Sequence, residues 1–287
     1  MNFIFAGRNL IKPIFGASLI MTVIVVVAAL ITTIPSLLPG SAQQQIMAFA
    51  TIAQTVDKLP SSFSGGELPV NNFTATNTYL INGKTPQGGI DSFSYDGSGH
   101  FKLQSGILKV DVDPENNTGI IKANWTDNAN NNNNWTFIQT EFKPTKQLYF
   151  EGLFSNGTAK LEYKNDSIAV NSWLHGNTKS TPPVLPTEFA YLATWGKGHL
   201  WKNNESQGII PAHMMLTEGV RDPITGKVFN ANQSGLYNPT NPSDGYADPN
   251  TVQAHLIIRS PSDKMTDNYP PQFEFTYHLM FYDIDVQ

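Results

Sequence analysis

Three segments toward the C-terminus each carry one histidine, and two of them place a methionine two positions later. The resulting set is His213, Met215, His255, His278 and Met280. On an extended strand, residues two apart point to the same side, about 7 Å from one another. Each His-x-Met pair therefore offers an imidazole and a thioether to one ion. Soft sulfur favours Cu(I) and imidazole accepts either copper state, so copper is the expected metal. Zinc held by His213, His255 and His278 is the alternative. With an open fourth position it would support hydrolysis, Glu218 or Glu274 serving as base.

The alternation of residue types assigns these side chains to one sheet face. Ala212, Met214 and Leu216 share a face, which leaves His213, Met215 and Thr217 opposite. Val252, Ala254, Leu256 and Ile258 oppose Gln253, His255, Ile257 and Arg259 in the next segment. In the last, Phe273, Phe275, Tyr277, Leu279 and Phe281 oppose Glu274, Thr276, His278, Met280 and Tyr282. If the three strands are neighbours, the imidazoles and thioethers meet on a single face. The plainer reading is that strand histidines are solvated and methionines fill packing gaps.

Other constellations are less complete. Asp111-x-Asp113-x-Glu115-x-Asn117 has the alternating oxygen ligands of a calcium loop, but Asn116 and Lys122 stand where that loop needs Gly and Glu. Asp244, Asp248 and Asn250 form a second, weaker oxygen set. Trp125, Trp135, Trp173, Trp195 and Trp201 admit a glycan-binding reading, against their ordinary use in β cores. No Gly-x-Ser-x-Gly elbow, phosphate loop or His-Glu-x-x-His helix is present. The chain has no cysteine, which removes thiolate catalysis and sulfur-ligated zinc, iron-sulfur and blue-copper sites. A binding role is therefore expected ahead of catalysis, with a structural, adhesive or glycan-binding surface module and a metal-dependent hydrolase or oxidase as alternatives.

The elements that must position these groups read as β-strands. Short alternating runs are separated by Asp96-Gly97-Ser98-Gly99, Asn116-Asn117-Thr118-Gly119 and Ser155-Asn156-Gly157, residues that tolerate positive φ. Strands are expected near 78–81, 91–95, 101–112, 119–125, 135–142, 148–154, 159–163, 167–173, 188–195, 209–219, 252–258 and 273–284. The fold class is all-β, an antiparallel β-sandwich, with a lipocalin-like β-barrel as the alternative. Gly176 to Pro186, with three prolines, is the candidate boundary if the β region is divided.

Ahead of the β domain, Pro13 to Val56 contains no charged side chain, and its apolar run Ile14 to Ile34 is long enough to cross a hydrocarbon layer of about 30 Å. Arg8 and Lys12 precede it, which predicts a cytoplasmic N-terminus at 1–12 and a transmembrane or signal-anchor helix at 13–38. A short helix and linker at 43–66 would lead to an extracytoplasmic β domain at 67–287. Cleavage after Gly40-Ser41-Ala42, giving a secreted protein, is the alternative. Asn72, Asn116, Asn124, Asn134, Asn156, Asn165, Asn204 and Asn232 open sequons for Asn-linked sugar, all beyond the apolar run. A formal net charge of −5 with scattered Lys and Arg argues against nucleic acid. The expected partners are the membrane, a metal ion or a cell-surface glycan, and oligomeric state is left open.

Overall fold

The computed structural model describes residues 71–81, 83–84, 90–91, 93–127, 132–153, 159–180, 183–231, 236–259, 272–273 and 276–286. The expected membrane helix, the 43–66 segment and Glu274 lie outside them. Among the described residues no helix is long and apolar enough to cross a membrane.

Strands account for most of the described residues. They are β1 (Asn72–Ile81), β2 (Gly83–Lys84), β3 (Ile90–Asp91), β4 (His100–Lys102), β5 (Ser105–Asp113), β6 (Thr118–Thr126), β7 (Asn134–Phe142) and β8 (Thr145–Leu153). There follow β9 (Ala159–Asp166), β10 (Ile168–Leu174), β11 (Glu188–Lys202), β12 (Glu205–Gly219), β13 (Asp248–Arg259), β14 (Gln272–Phe273) and β15 (Thr276–Val286). The turn chemistry expected at β5–β6 is present: Asn117 has φ 53° and Gly119 φ 139°.

The pairing order β1-β5-β6-β7-β11-β12-β13-β15 returns to β1, and every pair is antiparallel. Eight strands thus close an up-and-down barrel, in place of the expected sandwich. Sandwich and barrel demand the same alternation and the same hairpins. The difference lies in whether the first strand meets the last, and β1 does meet β15, from Phe73 opposite Val286 to Ile81 opposite His278. The eight-strand ring therefore has no free edge.

Three of the extra strands branch from β11, while β4 pairs with β1, and β2, β3 and β14 form a separate small sheet. The first half of β11, Glu188 to Thr194, pairs with β10, whereas its second half, Gly196 to Lys202, pairs with β7. Strands β10, β8 and β9 continue the sheet from β11, with β9 at its edge. Phe73, Leu108, Val110, Ile121, Phe137, Met214, Leu256 and Phe281 belong to one apolar cluster that fills the barrel. Gly198 lets the wall approach that core, since a Cβ there would meet the Phe137 ring and the Ile138 carbonyl. Gly198→Ala is expected to cost about 2 kcal/mol through overpacking, read from the urea midpoint.

A second layer covers part of the outer wall. Phe93, Tyr95, Val184, Leu185, Val220, Val228, Tyr237 and Ala247 form their own buried cluster. The proline-rich 176–186 segment contributes to this cover, because Val184 and Leu185 are buried in it.

Candidate functional site

The covered wall is the face that carries the histidines. Strands β12, β13 and β15 are consecutive neighbours, and their register sets Met215 opposite His255 and His255 opposite Met280. Tyr79 of β1 and Ala193 of β11 extend this row at its two ends. One step along the strands a second row runs Trp195, His213, Ile257, His278 and Ile81. Met215, His255, His278 and Met280 all have 0% exposure. The face inferred from alternation is therefore shared by these residues, but it lies beneath the cover and away from water.

His255 and His278 meet directly, with Nδ1 of the first 3.1 Å from Nε2 of the second and ring centroids 5.3 Å apart. One of these nitrogens donates and the other accepts. Burial, reinforced by the neighbouring His278, Arg221, His175 and His213, holds His255 well below the usual imidazole range. It is neutral at physiological pH.

His213 has a defined tautomer. Its Nδ1 lies 2.9 Å from the Thr194 carbonyl oxygen, and a carbonyl only accepts, so Nδ1 carries the hydrogen. The lone pair then resides on Nε2, a buried atom that makes no hydrogen bond. Trp195 stacks on the ring at 4.6 Å and fixes its plane. Burial pushes this imidazole down to about 3, with His175 adding to the effect. A backbone carbonyl on one ring nitrogen and a free lone pair on the other is the arrangement by which proteins orient a metal-binding imidazole.

A buried acid cluster adjoins this layer at its β11–β12 end. Glu188 and Glu218 are both fully buried, and His175 Nε2 stands 3.6 Å from Glu188 Oε1. Burial raises the Glu188 carboxyl well above its usual range, and neighbouring Glu218 adds to this. Glu218 accepts a hydrogen bond from the Phe189 N–H at 3.3 Å, yet burial and then Asp248 push it up to about 8. His175 has φ 55° and ψ −163°, a backbone region that essentially only glycine occupies freely. Its ring lies 6.2 Å from that of His213, which ties the acid cluster to the imidazole rows.

Arg221 holds the cover down. Its buried guanidinium donates to the carbonyls of Phe93, Ser94 and Gly226, while Gln253 Nε2 donates to the Arg221 carbonyl at 2.6 Å. Phe93 in turn faces the edge of the His278 ring at 5.8 Å.

Several of the remaining candidates are engaged elsewhere. Among the described residues no three His, Asp or Glu side chains are grouped to hold a metal ion. Asp113 caps its own turn, accepting from the N–H groups of Glu115 and Asn116, and Asp244 accepts from the Asn241 amide. Trp125, Trp135 and Trp173 are buried in the main core. Trp195 and Trp201 each stack on a histidine.

His175, Glu188 and Arg221 were not evident as site residues from sequence. Glu188 carried a signal, a carboxylate heading the otherwise apolar run Phe189 to Ala193. His175 carried none, because a loop brings it to the wall.

The fold and site define an up-and-down eight-stranded barrel whose polar cluster lies on the covered outer wall, outside the filled interior. No protein-family model, curated protein or solved structure matches the chain.

Proposed function

We propose that this protein binds Cu(I) in the covered layer, with Met215, His255, His278 and Met280 as ligands and His213 one step along the same face. The observation that carries the reading is the cross-strand row Met215, His255, Met280, with His278 hydrogen-bonded to its centre. Two thioethers and two buried imidazoles match a soft, singly charged ion that tolerates low coordination in an apolar setting. Zinc is less well served, because the three imidazoles are not grouped around one point. The His255 Nε2 makes no hydrogen bond and can take the ring hydrogen when Nδ1 turns its lone pair to the ion. On this reading the barrel works outside the cytoplasm, tethered to a membrane by residues 13–38.

Anaerobic titration of the full chain against a chromogenic Cu(I) chelator tests the proposal. One Cu(I) per chain is expected, with affinity lowered about tenfold or more in His255→Ala and in Met280→Ala. X-ray absorption should show a mixed nitrogen and sulfur shell. Absence of stoichiometric binding, or full affinity in both variants, would refute it.

A further inference from the structure

Strand β9 ends the sheet that continues from β11, and among the described residues β8 is its only strand neighbour. Its outer side therefore presents backbone N–H and C=O groups directed away from β8, and such an edge accepts a further strand. The side chains decide which strand fits. A period of two puts Lys160, Glu162, Lys164 and Asp166 on one face of β9 and Leu161, Tyr163 and Asn165 on the other. Lys160, Glu162 and Lys164 are exposed, and Tyr163 is 44% exposed. The edge is well fixed: the Tyr163 hydroxyl donates to the Thr178 carbonyl at 2.7 Å, and Lys164 lies 2.5 Å from Glu151 of β8 and 3.8 Å from Glu162.

Charges of one sign on this face would repel a second copy in every register. Here the signs alternate, so register decides between repulsion and attraction. Two copies related by a two-fold axis through the sheet set residues of the same face opposite one another. Centred on Glu162, Lys160 opposes Lys164 and Glu162 opposes itself. Centred on Lys164, Glu162 opposes Asp166 and Lys164 opposes itself. Centred on Tyr163, Lys160 opposes Asp166 and Glu162 opposes Lys164, each twice by symmetry, while Tyr163 meets Tyr163 on the reverse face. Registers centred on Leu161 or Asn165 also oppose unlike charges but pair less of the strand. We infer that β9 joins β9 of a second copy as an antiparallel pair about Tyr163, which extends the sheet across a two-fold dimer. The proposed copper ligands lie on β12, β13 and β15, so this contact and metal binding are separate.

Sedimentation of the full chain in detergent, which its apolar run Ile14 to Ile34 calls for, reads the association. A reversible dimer is expected. Glu162→Lys sets like charges against each other at both Glu162–Lys164 contacts, and so does Lys164→Glu. Each variant, its fold checked by circular dichroism, should dimerise about tenfold or more weakly by itself. Mixed in equal amounts, the two carry unlike charges at both contacts, and dimers should form again. The register is read separately, because the chain has no cysteine of its own. Tyr163→Cys should give a disulfide-linked dimer on mild oxidation, whereas Lys160→Cys should not, its two copies lying about 20 Å apart. A wild-type chain that stays monomeric would overturn the inference. So would variants that dimerise alone as tightly as wild type, a mixture that fails to associate, or equal linking at both cysteine positions.

Discussion

Replacing Arg221 with Met should cost about 3–5 kcal/mol, because the carbonyls of Phe93, Ser94 and Gly226 would lose their donor while still buried. The effect is larger than for a surface arginine because this guanidinium is fully buried and joins two separate segments of the cover, Phe93-Ser94 and Gly226. Arg221→Lys should recover only part of the loss. An ammonium is compact, and its donors do not reproduce the planar fork that reaches Phe93 and Gly226 together. The urea midpoint measures the loss, and protection of the His255 and Met280 amides from hydrogen exchange reports whether the cover opens first. Unchanged midpoints would mean that the cover is held by its apolar contacts alone.

The second large effect is in the pH dependence of stability. Glu218 binds its proton more tightly in the fold, with a pKa raised from 4.5 to about 8. Its contribution is fully present below pH 4.5 and is lost as pH rises through 8. His213 and His100 behave oppositely, being lowered from 6.5 to about 3 and about 4. Burial is the chief cause at both, so their contribution is fully present above pH 6.5 and is lost as pH falls through those values. Stability should therefore peak between pH 4.5 and 6.5 and decline on either side. Glu218→Gln removes this residue's share of the alkaline decline, leaving that of Glu188, and at pH 8 the variant should exceed the wild type by on the order of 3 kcal/mol. Denaturation series from pH 4 to 9 would show it, and parallel curves for the two proteins would exclude the effect.

This behaviour bears on the proposed site, because the same cover that shifts these groups also shields the imidazoles and thioethers. A charged imidazole beneath it is as costly as a charged carboxyl. Protonation on the acid side removes the lone pairs that ligation needs, so copper binding and stability should fail together as the His213 and His255 imidazoles become charged.

Much of the β architecture was legible from alternation and turn chemistry. The hairpin at Asn116 to Gly119 and the strands around it sit where expected. Departures have local causes. The run read as one strand from Phe101 to Val112 is interrupted between β4 and β5, with Leu103 turned into the core. The second half of β11 escaped notice because Gly196, Lys197, Gly198 and His199 lack the β-branched and aromatic character of a strand. It is held by pairing with β7 and β12 on its two sides.

Sequence by itself determined which residues share a face: His213, Met215, His255, His278 and Met280 follow from a period of two, a local property of extended backbone. It also carried a hint that this face is dry, since Met215, Ile257 and Met280 interrupt what would otherwise be a polar stripe. Tertiary structure alone decided that β12, β13 and β15 are neighbours, that the ring closes at β1, and that Phe93, Leu185 and Tyr237 cover the outside of the wall. It alone brought His175 to Glu188 and Arg221 to Phe93. Those contacts join residues far apart in the chain, and their energy depends on burial and on partners that no local pattern encodes.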